Sequence, residues 1–317
     1  MPFKSDLLDS FQIAFNKRKP LENITNALRL VNGQGDGLDG LVIERYDKHF
    51  VAQVFDSCWL KETQTLKDLL NSSFKVDFLI IKDRTQSALS NPEDFQTKVL
   101  VENTSSKTVI IENGLKFEVD LNDTLNTGLF LDMRANRLRV AQACEAKKVL
   151  NCFAYTCSFG VYAKAKGARE VVNVDVSQKI LERGRRNYQL NNLEAARNEL
   201  IKADASLYLE IAAKKGNCFD VIILDPPSFS RAGDKVFSVQ KHLPQLIRSA
   251  IAILNEQGQV FVATNFSEIS NPLLVEIFKK ASGKKAPKKI TQLGQDQDFL
   301  GSGKSKESHL AALWVEY

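Results

Sequence analysis

Acidic side chains follow three strand-like stretches in the second half of the chain. Asp175 ends residues 170–175, Asp204 lies in residues 202–205, which close the next strand, and Asp225 follows residues 219–224. In an open parallel sheet, ligands bind beyond the carboxyl ends of the strands. We therefore expect Asp175 to accept hydrogen bonds from ribose hydroxyls and Asp204 to accept one from an adenine amino group. The alternative for Asp175 is a helix-capping role.

The loop after the first of these strands lacks the glycine pattern of a dinucleotide site. Residues 150–160 read L-N-C-F-A-Y-T-C-S-F-G. Pyrophosphate binding favours G-x-G-x-x-G instead, because glycines let the backbone approach the phosphates closely. A cofactor without phosphates is therefore preferred, and S-adenosylmethionine fits. The residues predicted here to bind it are Asn151, Phe153, Tyr155, Thr156, Asp175, Val176, Asp204, Ala205 and Asp225.

A second candidate loop begins with Asp225-Pro226-Pro227 directly after a buried strand. Two prolines hold the chain stiffly there, so Asp225 emerges at the active edge of the sheet. Phe229 could stack on a flipped base while Asp225 and Asn265 hydrogen-bond nearby. The alternatives are a purely rigid loop and a Phe229 that belongs to the core. Amino-group methylation favours an aromatic directly after the prolines, where this chain has Ser228.

The elements that position these loops alternate between strand and helix from about Lys147 onward, which predicts a mostly parallel, doubly wound sheet. Earlier residues predict a helix over 2–19, strands at 41–45, 50–56 and 76–82, and a helix over 59–70. Asn113-Gly114 predicts a hairpin of residues 107–112 and 115–121. The first part therefore reads as a small α+β domain.

Composition bounds the class of protein. The chain has 317 residues, of which 44% are hydrophobic and 26% are charged, and its net charge is +5. Such a composition is of ordinary globular type, and the charge permits a polyanionic partner. No apolar run approaches the roughly 20 residues of a membrane span, and no signal peptide is recognised. The five cysteines lack C-x-x-C spacing and the 3 histidines are scattered, so we expect no metal site and a reduced, cytoplasmic protein.

Residues 126–137, N-T-G-L-F-L-D-M-R-A-N-R, are similar to the T-G-x-F-x-D-x-R-x-x-R signature of bacterial large-subunit ribosomal RNA methyltransferases, and residues 37–42 resemble their G-D-G-L-P-G-L stretch. The resemblance covers nearly the whole chain. It implies that Phe130, Asp132 and Arg134 contact the cofactor. It also implies an N-terminal helix (1–20), a small α+β domain that contacts RNA (21–121) and a class I, Rossmann-like, seven-stranded methyltransferase domain (122–317). The PUA-type domain of cytosine-5 members is expected to be absent.

The choice of methylated atom rests on cysteine usage. Methylation of pyrimidine C5 requires a nucleophile, usually Cys, whereas the stretch matching the family's F-S-C-S motif, residues 262–267, has none. Guanine N7 carries a free lone pair and needs no covalent step. Several stretches also resemble the guanine-N7 branch: residues 121–134, 225–230 with 237–240, and 290–292 with 297–299. The sequence thus favours N7, with cytosine C5 as the alternative. A catalytically idle RNA-binding or ribosome-assembly module and a small-molecule methyltransferase are the competing functions.

Ribosomal RNA is the expected partner, with the oligomeric state left open. Four arginines are predicted to contact RNA: Arg137, Arg183, Arg186 and Arg231. A lysine-rich stretch reads either as a solvated face or as a further RNA contact; it comprises Lys279, Lys280, Lys284, Lys285, Lys288 and Lys289.

Overall fold

The structure is a computed structural model that describes residues 4–85, 97–123, 126–232, 235–299 and 309–317, excepting the side chains of residues 4–6 and 230–236. The chain divides into two compact units. The first comprises Met1–Asp132 and Asp296–Ser308, and the second comprises Met133–Gln295 and His309–Tyr317. The sequence sets its boundary after Leu121 and separates the N-terminal helix, whereas this division falls after Asp132.

The first unit contains a five-stranded sheet with order β1-β2-β3-β4-β5. Its elements are α1 (Lys4–Arg18), β1 (Ala27–Asn32), β2 (Leu41–Tyr46), β3 (His49–Val54), α2 (Thr63–Ser73), β4 (Phe78–Asp83) and β5 (Thr97–Glu102). Only the β3–β4 pair among these strands is parallel, as expected from the intervening crossover through α2. Phe11 and Phe15 of α1 pack into the same apolar core as Phe50 and Leu66, so the N-terminal helix belongs to this unit.

The predicted hairpin is present in the first unit. Strands β6 (Lys107–Glu112) and β7 (Leu115–Asp120) pair antiparallel around Asn113 and Gly114. Both turn residues have positive φ, 49° for Asn113 and 80° for Gly114. The Asn-Gly pair tolerates this conformation, which matches the twist of the strands.

The second unit is built on a seven-stranded sheet with order β10-β9-β8-β11-β14-β16-β15. Its helices are α3 (Arg134–Gln142), α4 (Ser158–Ala165), α5 (Gln178–Leu190), α6 (Ala205–Lys214), α7 (Val239–Ala252) and α8 (Asn271–Ser282). Its strands are β8 (Lys148–Cys152), β9 (Glu170–Asp175), β10 (Leu200–Lys202), β11 (Phe219–Leu224), β14 (Leu254–Thr264), β15 (Lys289–Leu293) and β16 (Ala311–Glu316), with a separate hairpin of β12 (Phe229–Ala232) and β13 (Lys235–Ser238). This arrangement confirms the predicted class I, Rossmann-like fold.

Helices cover both faces of the seven-stranded sheet. Alternate residues of each central strand face opposite sides, as the pleat requires. Leu150 and Ile222 enter an apolar cluster with residues of α6, α7 and α8. Val149 and Ile223 enter a second cluster with residues of α3 and α4. The central strands are therefore buried on both sides, and their loops emerge at the ends of the sheet.

Candidate active site

The strand register brings the predicted loops to one edge of the second unit's sheet. Leu224 of β11 pairs with Cys152 of β8 and with Val262 of β14, and Cys152 also pairs with Val174 of β9. Phe153, Asp175 and Asp225 therefore each come directly after one of these paired residues. The chain continues from β8 to β9 on one side, while β11 lies on the other. This is the switch point at which open α/β sheets bind ligands.

The loop after β8 turns without glycine at three left-handed positions. Phe153, Tyr155 and Cys157 have φ values of 57°, 49° and 60°. A non-glycine residue in this region costs on the order of 1 kcal/mol, so the surrounding contacts must hold the loop. Backbone bonds contribute, because Ala154 N–H donates to Val174 at 3.0 Å and Cys157 N–H donates to Ala154 at 2.7 Å.

Asp175 fastens this loop to the end of β9. Its Oδ2 accepts the Tyr155 N–H at 2.9 Å and its Oδ1 accepts the Ser177 N–H at 3.0 Å. Burial raises the pKa of Asp175, while these backbone hydrogen bonds oppose that shift. The helix-capping alternative does not hold for this residue, since Ser177 is the N-cap of α5.

Asp204 has the capping role instead. It is the N-cap of α6, and its Oδ1 accepts the Leu207 N–H at 3.0 Å. Ala205 is buried at the start of that helix, whereas Val176, beside Asp175, is 44% exposed. Val176 thus presents an apolar surface at the same edge.

Three buried asparagines support the cofactor loop: Asn151, which the sequence predicts as a cofactor contact, and Asn173 and Asn187, which the sequence patterns do not single out. Asn151 donates through Nδ2 to Asn173 Oδ1 at 3.0 Å, and Asn173 donates to the Tyr188 hydroxyl at 3.0 Å. Asn187 Nδ2 donates to the carbonyl oxygen of Thr156 at 3.0 Å. Asparagine at a buried strand position, as at Asn151 and Asn173, is the available signal because buried amides require partners.

Two helical glycines make room for this network. A Cβ at Gly160 would lie 2.3 Å from Asn173 Oδ1, and a Cβ at Gly184 would lie 2.4 Å from Cys157 Sγ. Both glycines lie within helices, where glycine is unfavourable by propensity. Close packing therefore explains their presence, of Gly160 against Asn173 and of Gly184 against Cys157 in the cofactor loop.

The Asp225 loop presents an aromatic ring to solvent. Phe229 is 57% exposed, which excludes the core alternative. Pro226 is buried and Pro227 is exposed. Ser228 donates through Oγ to Asn265 Oδ1 at 2.8 Å, so the loops after β11 and β14 are joined beside this ring.

Further aromatic residues lie between the two loops. The Phe153 and Phe237 ring centroids are 5.5 Å apart, and Phe237 stacks on His242 at 5.4 Å. His242 Nδ1 lies 2.9 Å from the carbonyl oxygen of Ser238. The sequence assigns no role to Phe237 or His242, because only the tertiary fold brings residue 237 beside residue 153.

All five cysteines are free, and none follows β11 or β14 directly. Burial raises the pKa of the Cys152 and Cys157 thiols. Both side chains are fully buried, which agrees with a packing role. Their low thiolate population makes them poor nucleophiles.

Two of the four arginines predicted to contact RNA lie inside the protein. Arg137 is 1% exposed, with its guanidinium 5.9 Å from the Tyr162 ring centroid, and Arg183 is also buried. A buried guanidinium does not reach an RNA phosphate in solvent, so the structure does not support these two contacts. Arg186 is exposed, and the side chain of Arg231 lies outside the described residues.

The signature segment spans the division between the units. Phe130 and Asp132 belong to the first unit, where Phe130 is exposed and Asp132 is partly exposed. Arg134 begins α3 in the second unit and is almost fully buried. The cofactor contacts that the resemblance implies for these three residues stay predictions.

Within the described ranges, no group of three or more His, Cys, Asp or Glu side chains could hold a metal ion. None of the described helices is both long and apolar enough to cross a membrane.

Comparison with known proteins identifies the family. Residues 82–292 match the model of the S-adenosylmethionine-dependent methyltransferase family. The chain is 38% identical over 210 residues to ribosomal RNA large subunit methyltransferase I of Aeromonas hydrophila, covering 64% of this chain and 52% of that protein. It is 31% identical over 287 residues to the protein of the same name from Escherichia coli, covering 90% of this chain and 70% of that protein.

Solved structures agree with this comparison. The fold matches SMU.776, a protein described as a methyltransferase and crystallised with SAH, with a TM-score of 0.87 and 27% identity over 99% of this chain and 81% of that one. The chain spans only 52% to 64% of the length of several curated relatives. Since the family model covers two thirds of the sequence and includes both candidate loops, this chain belongs to the S-adenosylmethionine-dependent methyltransferase family.

Proposed function

We propose that this protein is an S-adenosylmethionine-dependent methyltransferase that acts on a base of large-subunit ribosomal RNA. The observation that carries the proposal is the strand register, which places the Asp175 carboxylate and the exposed Phe229 loop at one edge of the sheet. The curated relatives, named as ribosomal RNA large subunit methyltransferases, supply the substrate class.

The residues present fit this cofactor. Asp175 is held by two backbone N–H groups, and each of its oxygens retains a second lone pair for a ribose hydroxyl. Val176 offers apolar surface to the adenine ring, and the remaining oxygen of Asp204 can accept from the adenine amino group. The absence of a G-x-G-x-x-G loop suits a cofactor with no pyrophosphate. When bound, the sulfonium supplies an electrophilic methyl group.

The protein's own residues orient the target base. The exposed Phe229 ring provides a stacking surface for a base turned out of its RNA context. Asp225 starts the rigid Pro226-Pro227 segment, and the Ser228–Asn265 hydrogen bond fixes the far side of the loop. The Asn265 amide group retains its N–H donors for the base edge. Positioning of the base against the methyl group is the main contribution of this loop.

The proposed target atom rests on the relatives, whereas the cysteines of this chain speak against a thiol as the nucleophile. The comparisons do not support the guanine-N7 preference, and cytosine C5 accords better with the named relatives. Methylation at C5 would use a nucleophile other than a cysteine of these loops, because the loops after β11 and β14 contain none and Cys152 and Cys157 beside the loop after β8 are buried. On the ground of the relatives we propose cytosine C5 as the target. In this reaction a nucleophile adds to C6, C5 then takes the methyl group, and loss of the C5 proton with expulsion of the nucleophile restores the ring.

Two measurements test this function. Titration calorimetry with S-adenosylmethionine should show binding, and absence of binding would favour the idle-module alternative. Nucleoside mapping of ribosomal RNA from cells with and without the gene should show loss of one 5-methylcytosine. Loss of 7-methylguanine would reverse the base assignment, and an unchanged methylation pattern would refute the function.

The proposal includes a reducing, cytoplasmic setting. Ribosomal RNA is the proposed substrate, and all five cysteines are free thiols. Persistent free thiols are typical of compartments where glutathione and thioredoxin keep cysteines reduced.

A further inference from the structure

One short stretch carries the whole formal charge excess of the protein. Residues 275–292 contain six lysines and one glutamate, a net charge of +5, and the complete chain also has a net charge of +5. The other residues therefore balance to zero. The excess positive charge is thus concentrated in this stretch, and we call the basic groove that it lines the lysine cleft.

The lysine cleft is concave and lies entirely within the second unit. It has a volume of about 560 Å³ and lies between the end of α8 and strand β15. Lys279, Lys288 and Lys289 line it, and Val275 and Ile290 contribute apolar lining. The turn between the two elements includes Gly283, whose φ of 56° and ψ of -122° are accessible mainly to glycine. Backbone geometry thus brings lysines from a helix and a strand to one groove.

Few of these ammonium groups are neutralised by nearby acids. Within the described residues, Lys279, Lys280 and Lys284 have no acidic partner, and all three are exposed. Lys289 lies 3.9 Å from Glu316, a loose pair with a mostly exposed lysine. Glu276, the single acid of residues 275–292, lies on α8. The local field therefore stays positive.

Two further lysines stabilise the wall of the cleft. Lys285 donates to the Leu254 carbonyl oxygen at 3.3 Å and lies 5.4 Å from the Tyr317 ring centroid. Lys288 donates to the carbonyl oxygen of Tyr317 at 3.3 Å. Both groups keep further N–H donors for a ligand, because an ammonium has three.

The cleft is separate from the methyl-transfer edge. In the sheet, Lys289 of β15 lies opposite Glu316 of β16, and Glu316 lies opposite Gln259 of β14. The loop that carries Asn265 begins after Thr264, at the other end of β14. Five residues along the strand and two strand spacings correspond to roughly 20 Å. A ligand at the cleft therefore does not compete with the cofactor or the target base.

We propose that the lysine cleft binds the phosphodiester backbone of the RNA substrate at a point remote from the methylated base. This inference rests on the proposed function for its choice of polyanion. Long, exposed lysines spread over a groove suit a chain of phosphates, whereas a single small anion would need fixed, convergent donors. The apolar lining accommodates the lysine stems and the sugar edges.

The test uses full-length protein and unmodified large-subunit ribosomal RNA made by transcription. Replacement of Lys279, Lys288 and Lys289 by Gln should make the slope of log affinity against log salt concentration shallower by roughly two units and weaken binding roughly tenfold. The matched control replaces the exposed lysines Lys166, Lys214 and Lys215 by Gln, with the same loss of charge. The control should keep the wild-type slope.

A second variant guards against structural damage. Replacement of Lys279, Lys280 and Lys284 by Gln leaves the wall contacts of Lys285 and Lys288 intact and should shift the slope in the same direction. Methylation of an oligonucleotide with one neighbour on each side of the target base should be unchanged in both variants, because it does not reach the cleft. Slopes equal to the wild type, or an equal loss in the control, would overturn the inference.

The outcomes separate this inference from the proposed function. If wild-type protein binds RNA through the lysines but transfers no methyl group, the proposed function is refuted and the proposed RNA binding at the lysine cleft is supported. If it methylates RNA, and the slope of log affinity against log salt concentration does not depend on these lysines, the proposed function is supported and RNA binding at the lysine cleft is refuted. Preferential binding of anionic phospholipid vesicles over RNA would also overturn the assignment.

Discussion

At the scale of single residues, the exposed aromatic ring at the active edge is the most informative group. Phe229 is 57% exposed although it belongs to a strand pair, and it follows the rigid Asp225-Pro226-Pro227 segment. An apolar ring left in solvent contributes little to folding, so its replacement should separate substrate binding from stability.

Replacement of Phe229 by Leu should lower kcat/KM for RNA roughly tenfold to a hundredfold, because base–aromatic stacking contributes about 1–3 kcal/mol. The affinity for S-adenosylmethionine and the unfolding midpoint should remain unchanged. Phe229→Trp, which keeps a stacking surface, is the matched control. Methyl-transfer kinetics and calorimetry give the two readouts, and a parallel loss of cofactor affinity would contradict the stacking role.

A second residue-scale prediction concerns a buried amine in the first unit. Lys82 on β4 is buried and donates through Nζ to the Asp123 carbonyl oxygen at 2.5 Å. Burial, with a smaller contribution from Arg84, lowers the pKa of Lys82 to about 8, while Glu44, Asp123 and Asp120 oppose the shift. Between the lowered folded-state pKa and the ordinary lysine pKa, the unfolded chain therefore binds more protons at this amine than the folded one.

The free energy of unfolding of the wild type, relative to Lys82→Met, should consequently rise from about pH 8 to about pH 10.5, by on the order of 2–3 kcal/mol. Below about pH 8 the difference should be constant, because the amine is protonated in both states. Denaturant titrations of both proteins at several pH values measure it. A difference that falls with pH, or does not change, would contradict the lowered pKa.

At the scale of elements, helix α5 packs against the cofactor loop at Gly184 and Cys157. Cys157 occupies a left-handed position at the start of α4, and its Sγ fills the space that a Cβ at Gly184 would need. The Cys side chain thus stabilises the loop by packing while its own backbone is strained.

Gly184→Ala should destabilise the protein by about 1–3 kcal/mol, because the new methyl group overlaps Cys157 Sγ. Cys157→Gly removes both that sulfur and the left-handed strain, so the double variant should recover most of the loss. Chemical denaturation of the four proteins of this double-mutant cycle measures the coupling. Additive effects would show that the two positions do not share the space.

The same scale shows what sequence patterns can establish. Strands β9 and β11 are predicted with their observed bounds, because continuous apolar runs end at Asp175 and Asp225. Strand β1 is not predicted from the sequence, because Arg29 interrupts its run of apolar residues. That arginine is buried against Glu44 of β2, 2.8 Å away, and only such pairing makes its burial possible. Helix α8 and strand β15 also escape prediction, because lysines dominate the sequence between them.

At the scale of the whole molecule, the division into two units predicts where cofactor binding will be felt. The hydrogen bonds that the loop after β8 makes with Val174, Asp175 and Asn187 lie in the second unit, and Asp175 joins that loop to β9. A ligand that binds only the folded state stabilises the unit that contains its site. The β1–β5 sheet has its own apolar core and should open independently of that ligand.

Hydrogen–deuterium exchange with and without S-adenosylmethionine should therefore show added protection at residues 153–157 and 175–177, and none within β1–β4. At a cofactor concentration of about 100 times Kd, the second unit should gain about 2.7 kcal/mol against unfolding.

Asp175→Asn should weaken cofactor affinity roughly tenfold or more, because the amide nitrogen cannot accept the backbone N–H that a carboxylate oxygen accepts. Exposed Glu210→Gln on α6 is the control for charge loss. Equal protection of β1–β4, or wild-type affinity in Asp175→Asn, would show that the cofactor is not held by the β8–β9 edge.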